Sequence, residues 1–262
     1  MKPFSPKPLN SYFQILAVLA LLSSCDGFTW LPKSEETEKV SSGKTKDGLV
    51  KTYRESGVLY SEINYVNGIK HGISKSYSKS GKLQFIIPYD SGRKHGVSKL
   101  HYEDGKVRRE TAYVYGVKEG LRKNYWTNGN LSSSVSYKND LLGNDLKEYM
   151  KSGEEKPKYE NLKVWSVDNL KTTGEYKINV TFDKNAKRAE YFIGELKDGK
   201  YLDELSMIRI PIYNGVGQLT YTPPPGIFVM EKLNIVGKLK TTRGNFLIRE
   251  KTFNLAIEGG IF

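Results

Sequence analysis

Cysteine and histidine are nearly missing from this 262-residue chain, which has one of the first and three of the second. A single cysteine excludes an internal disulfide framework or a thiolate zinc site. Three histidines, two of them (His71, His95) beside glycine at equivalent repeat positions, argue against a histidine-rich metal centre. No long hydrophobic run is present either. The longest apolar stretch near the start, Ile15 to Leu22, falls far short of the ~20 residues a membrane-spanning helix needs. There is no Gly-rich phosphate loop ahead of a helix, no Gly-x-Ser-x-Gly elbow and no His-x-x-x-His pair, so no enzyme motif, cofactor or metal is expected. His71, His95 and His101 with Glu103 form the nearest approach to a catalytic cluster, and turn geometry is the simpler account of the first two.

What the chain does have is glycine, tyrosine and positive charge: 25 Gly, 18 Tyr and a net charge of +12. With 38% hydrophobic and 12% aromatic residues, it can form ordered cores. The first 24 residues carry Lys2 and Lys7 and no acid, then ILAVLALL, then Ser23 and Ser24, the layout of a signal peptide. Leu22-Ser23-Ser24-Cys25 resembles the bacterial lipobox, which implies diacylglyceryl transfer to the Cys25 sulfur, cleavage before it and acylation of the new terminus. Two or more acyl chains give a stable anchor. An ordinary secretory signal with a stray cysteine is the competing reading. Asp26 resembles an inner-membrane retention signal of some bacteria, and the choice between inner and outer membrane stays open. Residues 25–47 then read as the lipidated cysteine and a polar tether.

Self-similarity at 24 residues dominates the rest. Glycine recurs at 48, 72, 96 and 120 with Asn144 fifth; at 57, 81, 105, 129 and 153; and at 68, 92 and 116 with Asp140 closing the series. Tyrosine recurs at 53, 77, 125 and 149, with His101 in the third place, and at 65, 89, 113 and 137. Each unit predicts two short strands and two turns, the small polar residues before glycine supplying the positive φ of hairpin corners. Five units over residues 48–161 stack into an antiparallel sheet, the fifth degrading after Gly153. The pattern Gly-x-x-x-x-Tyr-x-x-x-Gly, an apolar strand and a Tyr-x-x-Gly corner resembles the variant MORN repeat of bacterial proteins. That resemblance implies an interaction scaffold and, for many such proteins, an antitoxin-like role.

Lysine stands third after the first glycine position in every unit: Lys51, Lys75, Lys99, Lys123 and Lys147. At equal register they form one row spaced roughly 9–10 Å, on the face that holds Tyr53, Tyr77 and Tyr125. Such a row serves either as a recognition surface for a protein or acidic ligand or as a solvated guard against sheet aggregation. The repeats carry 20 basic against 13 acidic side chains, most of the excess charge. Nucleic acid is a poor partner for an address outside the cytoplasm.

From residue 162 to 262 the repeat gives way to longer alternating strands, about seven of them, which favours an immunoglobulin-like β-sandwich. Gly259 to Phe262 reads as a loose tail. The expectation is an all-β lipoprotein of the bacterial cell envelope, membrane-bound through Cys25 and non-enzymatic: a MORN-type hairpin sheet as binding scaffold, then the sandwich. A toxin-neutralising immunity protein and an envelope enzyme are the alternatives.

Overall fold

In the computed structural model the described residues are 45–157, 159–184 and 186–259. The expected signal, Cys25 and most of the expected tether lie outside them. The repeat region supplies β1 (Gly48–Tyr53), β2 (Leu59–Val66), β3 (Ile69–Lys70), β4 (Gly72–Tyr77), β5 (Leu83–Asp90), β6 (Arg93–Lys94) and β7 (Gly96–His101). It continues with β8 (Val107–Val114), β9 (Val117–Tyr125), β10 (Leu131–Lys138), β11 (Leu141–Gly143) and β12 (Lys147–Glu148). All pair antiparallel, in the order β1-β2-β4-β5-β7-β8-β9-β10-β11, with the short β3, β6 and β12 on β2, β5 and β10.

Two turns alternate along this sheet. The first is made at Gly57, Gly81, Gly105, Gly129 and Gly153, each with φ between 79° and 100°. In each, the glycine N–H donates to the carbonyl three residues back, as Gly57 does to Arg54 at 2.8 Å. That left-handed geometry is open to glycine without a Cβ clash, which is why the residue recurs. The second is a two-residue corner with positive φ at both places, as at Asn67 (50°) and Gly68 (79°), the twist a right-handed hairpin needs. Asn139 (50°) and Asp140 (64°) make the fourth corner without glycine, within the tolerance of short polar side chains. The corners are stapled to the preceding unit: Gly68, Gly92, Gly116 and Asp140 donate their N–H groups to the carbonyls of Lys46, Lys70, Lys94 and Lys118.

The fifth unit departs from the expected hairpin. It keeps its first turn, with Met150 N–H donating to the Glu154 carbonyl at 2.7 Å, but no second strand follows among the described residues. After Gly153 the chain reads Glu-Glu-Lys-Pro, with no apolar alternation to bury and a proline that lacks the ladder donor.

The remaining chain forms β13 (Leu162–Asn169), β14 (Glu175–Phe182), β15 (Ala189–Ile193), β16 (Tyr201–Leu202), β17 (Ile208–Arg209), β18 (Ile212–Tyr213), β19 (Val216–Tyr221), β20 (Phe228–Lys240) and β21 (Phe246–Glu258). Two four-stranded sheets, β13-β14-β19-β18 and β17-β15-β20-β21, close over one core. Counted in chain order, this matches the A-B-E-D and C-F-G arrangement of immunoglobulin-type sandwiches, with one extra strand beside C. Ile178, Val180 and Phe182 from one sheet meet Tyr191, Leu233, Ile235, Leu239 and Leu247 from the other. Gly237 lets the layers approach, since a Cβ there would lie 2.6 Å from Leu162 Cδ1 and 2.8 Å from Phe182 Cε2. Gly259 is not part of a loose tail: it bridges Pro225 and donates its N–H to the Ile227 carbonyl at 2.9 Å.

Repeats and sandwich form a single compact unit. Strand β16 leaves the sandwich to pair with β11, extending the repeat sheet at the point where Asn144 replaces the repeated glycine. Asn144 donates its backbone N–H to the Lys200 carbonyl at 3.0 Å. Beside it, Glu148 of β12 is fully buried. Its Oε1 accepts from Thr241 Oγ1 (2.9 Å) and Asn245 Nδ2 (2.7 Å) of the β20–β21 turn, and its Oε2 lies 3.6 Å from Lys156 Nζ. Arg243 of the same turn donates to the Tyr149 carbonyl at 2.8 Å and stacks its guanidinium over Trp126.

Candidate functional site

The five column lysines stand on one face of the sheet, in register, with Tyr53, Tyr77, His101 and Tyr125 beside them. Cross-strand pairing runs Lys51, Glu62, Lys75, Ile86, Lys99, Glu110, Lys123, Ser134, Lys147 from strand to strand. Glutamates are thus interleaved with the lysines. Lys51 pairs with Glu62 at 3.2 Å, Lys99 with Glu110 at 3.4 Å and Lys147 with Glu155 at 3.3 Å.

The aromatic members of the column share these acids. Tyr77 donates its hydroxyl to Glu62 and Tyr125 donates to Glu110, both at 2.7 Å. Burial, with the hydrogen bond to a carboxylate adding to it, pushes both phenols up to about 12. Hydrogen bonds from Tyr77 and Lys51 hold Glu62 below the usual carboxylate range. Burial opposes the shift at Glu110, where the bonds from Tyr125 and Lys99 prevail and lower it. His101 occupies the one tyrosine place preceded by Ile86, where no carboxylate waits for a hydroxyl. An exposed apolar row flanks the column: Leu49, Ile73, Val97 and Leu121.

The opposite face has a different chemistry, which the sequence reading did not single out. Tyr65, Tyr89, Tyr113 and Tyr137 form a column, each paired across the strands with a glycine (Gly48, Gly72, Gly96, Gly120). Lys46, Lys70, Lys94 and Lys118 place their ammonium groups over these rings at 5.8, 5.4, 5.2 and 5.3 Å from the centroids. A cation held over an aromatic face is attracted by the ring quadrupole. Burial, followed by its neighbours Tyr65 and Tyr113, raises the Tyr89 phenol.

From β1 to β11 this tyrosine face carries no acid at its strand positions; at its far end Glu148 of β12, paired with Ser133, stands on it, buried against Thr241 and Asn245. Glu62, Asp90 and Glu110 stand on the lysine-column side, and Glu119 accepts from the Asn139 N–H at a corner. Arg109 and Arg122 lie diagonally on adjacent strands, where Arg109 pairs with Asn124 and Arg122 with Thr111. Two clefts of about 130 and 220 Å³ share Phe85 and Ile87 as a common wall; Arg109 lines the smaller, and the larger lies further along the sheet beside Lys70 and Tyr89. Serines 61, 74, 76 and 98 and Thr111 line them.

The histidines do not gather. His71 Nδ1 lies 3.6 Å from Asp90, His95 packs against the Tyr115 ring at 4.6 Å, and His101 belongs to the lysine column. Among the described residues no group of three or more His, Cys, Asp or Glu side chains is arranged to hold a metal ion.

A family model described as MORN repeat variant matches the chain in four copies, at residues 46–67, 70–91, 94–115 and 118–139. These copies coincide with the four complete hairpin units, so the sheet is a MORN-variant repeat array. Each copy begins on a lysine of the second, tyrosine-capping column. No curated protein matches the chain.

Proposed function

We propose that this chain is a lipoprotein of the bacterial cell envelope, acylated at Cys25 and held to the membrane by that anchor, whose repeat sheet is a non-enzymatic binding scaffold. The observation that carries the scaffold reading is the tyrosine face: four units present the same Tyr-Lys arrangement at constant register, with two arginines and no acid at the strand positions of those four units. A surface of one charge sign attracts a partner of the other and orients it before contact. What supports the anchor is the lipobox-like Leu22-Ser23-Ser24-Cys25 after an apolar run.

The test is affinity capture from the native envelope. The bait is the full chain, compared with a variant carrying Gln at Lys70, Lys94, Arg109 and Arg122 and with one carrying Gln at Lys51, Lys75, Lys99, Lys123 and Lys147. The expected result is a partner lost in the first variant and kept in the second. Loss in the second alone moves the binding surface to the lysine column. Recovery of a toxin would bring the protein into the immunity class, and capture of nothing by the unaltered chain would overturn the scaffold reading. Fatty-acid labelling that survives Cys25→Ala would overturn the anchor.

A further inference from the structure

Arg109 and Arg122 are the least explained charges in the molecule. Arg109 Nε donates to Asn124 Oδ1 at 2.8 Å, and Arg122 Nη1 donates to the Tyr137 hydroxyl at 3.3 Å. The Arg122 Nε is buried with no hydrogen-bond partner among the described residues. Neither guanidinium has a carboxylate in ion-pair range among them. Burial, then the neighbouring charges of Arg122 and Arg108, lowers Arg109 to about 10. Two like charges, part-buried and unneutralised, favour whatever anion can reach both. Each guanidinium also keeps unused donors, in a planar fork suited to an oxyanion.

The surroundings narrow the ligand. The site is on a sheet face rather than an edge, so it offers side-chain donors and acceptors but no free backbone ladder. An extended peptide lying there would leave its own amides without partners, a costly arrangement. A sugar chain has no such requirement, because its hydroxyls pair with side-chain hydroxyls. The floor supplies these, and Ser74 Oγ is buried there without a partner among the described residues. Phe85, still about one-third exposed at 36%, gives a wall for the apolar face of a sugar ring. Successive units step by roughly 9–10 Å, so a linear ligand running across the strands meets the same chemistry again at each unit.

From this arrangement we infer that the tyrosine face binds an acidic glycan, with a carboxylate seated on Arg109 and Arg122 and the neighbouring sugar hydroxyls along the serine-lined clefts. The inference deepens the scaffold reading and rests on it. Lys94, over Tyr113 at the rim of the same cleft, would take a second anionic group or a hydroxyl.

Calorimetric titration of the full chain in non-ionic detergent tests this with four probes: oligogalacturonate, its methyl ester, poly-L-glutamate and anionic phospholipid vesicles. Oligogalacturonate should bind, the ester and poly-L-glutamate at least about tenfold more weakly, and vesicles should not displace it. The double variant R109Q/R122Q should lose at least about tenfold in affinity, and R122K should recover only part, since lysine lacks the planar fork. Thermal denaturation verifies the fold, and if the double variant fails to fold, Lys94→Gln should still weaken binding several-fold. The inference is overturned if the wild type does not bind oligogalacturonate, if the ester binds as well as the acid, or if poly-L-glutamate or vesicles bind as tightly. If R109Q/R122Q still captures the envelope partner, the glycan site is wrong while the scaffold reading stands.

Discussion

The repeat sheet and the sandwich are both antiparallel β-structure, yet different physics holds each together. In the sandwich, Tyr191, Ile235, Leu239 and Leu247 are wholly out of water between two layers. Across strands β1 to β12, Val135 is the one strand residue among the buried hydrophobic side chains, and Ser61, Ser74, Thr111 and Ser133 occupy places a core would give to aliphatic groups. The sandwich is stabilised by apolar area removed from water. From β1 to β9 the repeat sheet has one layer and two largely wet faces, while Val135, Tyr137 and Leu142 at its end pack on the sandwich core, so most of it relies on ladders: lysines over tyrosines, tyrosines on glutamates and glycine turns repeated in register. Over these first strands a layer built this way leaves both faces available to partners, which a two-layer sandwich does not.

The most disruptive way to test that difference is to cut the joint. Glu148→Ala removes the buried acceptor of Thr241 and Asn245 and leaves Lys156 without that carboxylate. Breaking a buried pair costs about 3–5 kcal/mol, and the expected result is two separate urea transitions, Trp126 reporting the repeats and Trp165 the sandwich. A single coincident transition would show that the two regions are coupled elsewhere. Next in size is Ile235→Ala, expected to cost about 2–5 kcal/mol at a site with no exposure. Its counterpart Val97→Ala, on the exposed apolar row, should cost less than about 0.5 kcal/mol. Equal losses would mean that the repeat sheet is covered in solution.

Smaller again is the hydroxyl ladder. Tyr125→Phe deletes the bond to Glu110 and should cost about 1 kcal/mol, whereas Tyr53→Phe, on an exposed ring, should cost almost nothing. Tyr77 and Tyr125 ionise at about 12 in the folded chain, above their ordinary 10. Between these values the unfolded chain releases protons that the folded chain keeps, so stability should fall as pH rises from about 10 to about 12. The lowered carboxyls of Glu62 and Glu110 act in the other direction. Their contribution is present above their ordinary value of 4.5 and is lost as pH falls through the lowered folded value. Tyr125→Phe should reduce the alkaline loss in denaturant titrations, and an unchanged profile would remove the ladder from the account.

What could be read from the sequence follows the same division. The turns at Gly57 and its four successors were legible because left-handed backbone demands glycine locally, whatever the rest of the chain does. The sandwich strands were legible by alternation, with β20 reaching back to Phe228 rather than starting at Leu233. Strand β16 was not, because two residues carry no period and its partner β11 is about sixty residues earlier. Glu62 and Glu110 escaped notice because they recur in every second unit, so a search at 24 residues averages them against Ile86 and Ser134. The Lys46, Lys70, Lys94 and Lys118 column did have the 24-residue signal. It begins two residues before the first glycine, outside the boundary drawn from glycine alone. Glu148 resembled any strand acid, since its burial is imposed by Thr241 and Asn245, which lie 93 and 97 positions away.

The smallest expected effect decides what the lysine column is for. Lys99 and Glu110 are an ion pair at 3.4 Å with the lysine side chain 41% exposed, so water and salt screen most of their attraction. A double-mutant cycle on Lys99→Gln and Glu110→Gln should return a coupling of about 0.2–1 kcal/mol at low salt, falling towards zero at high salt. Lys75→Gln should be close to neutral in stability, because Lys75 flanks Glu62 while Lys51 holds it. If the coupling is small and partner capture survives in the five-lysine variant, the column is a solvated border that keeps an exposed sheet face from pairing with others, as charged side chains do elsewhere. A coupling that persists at high salt would instead make the interleaved Lys-Glu row a structural spine of the repeat sheet.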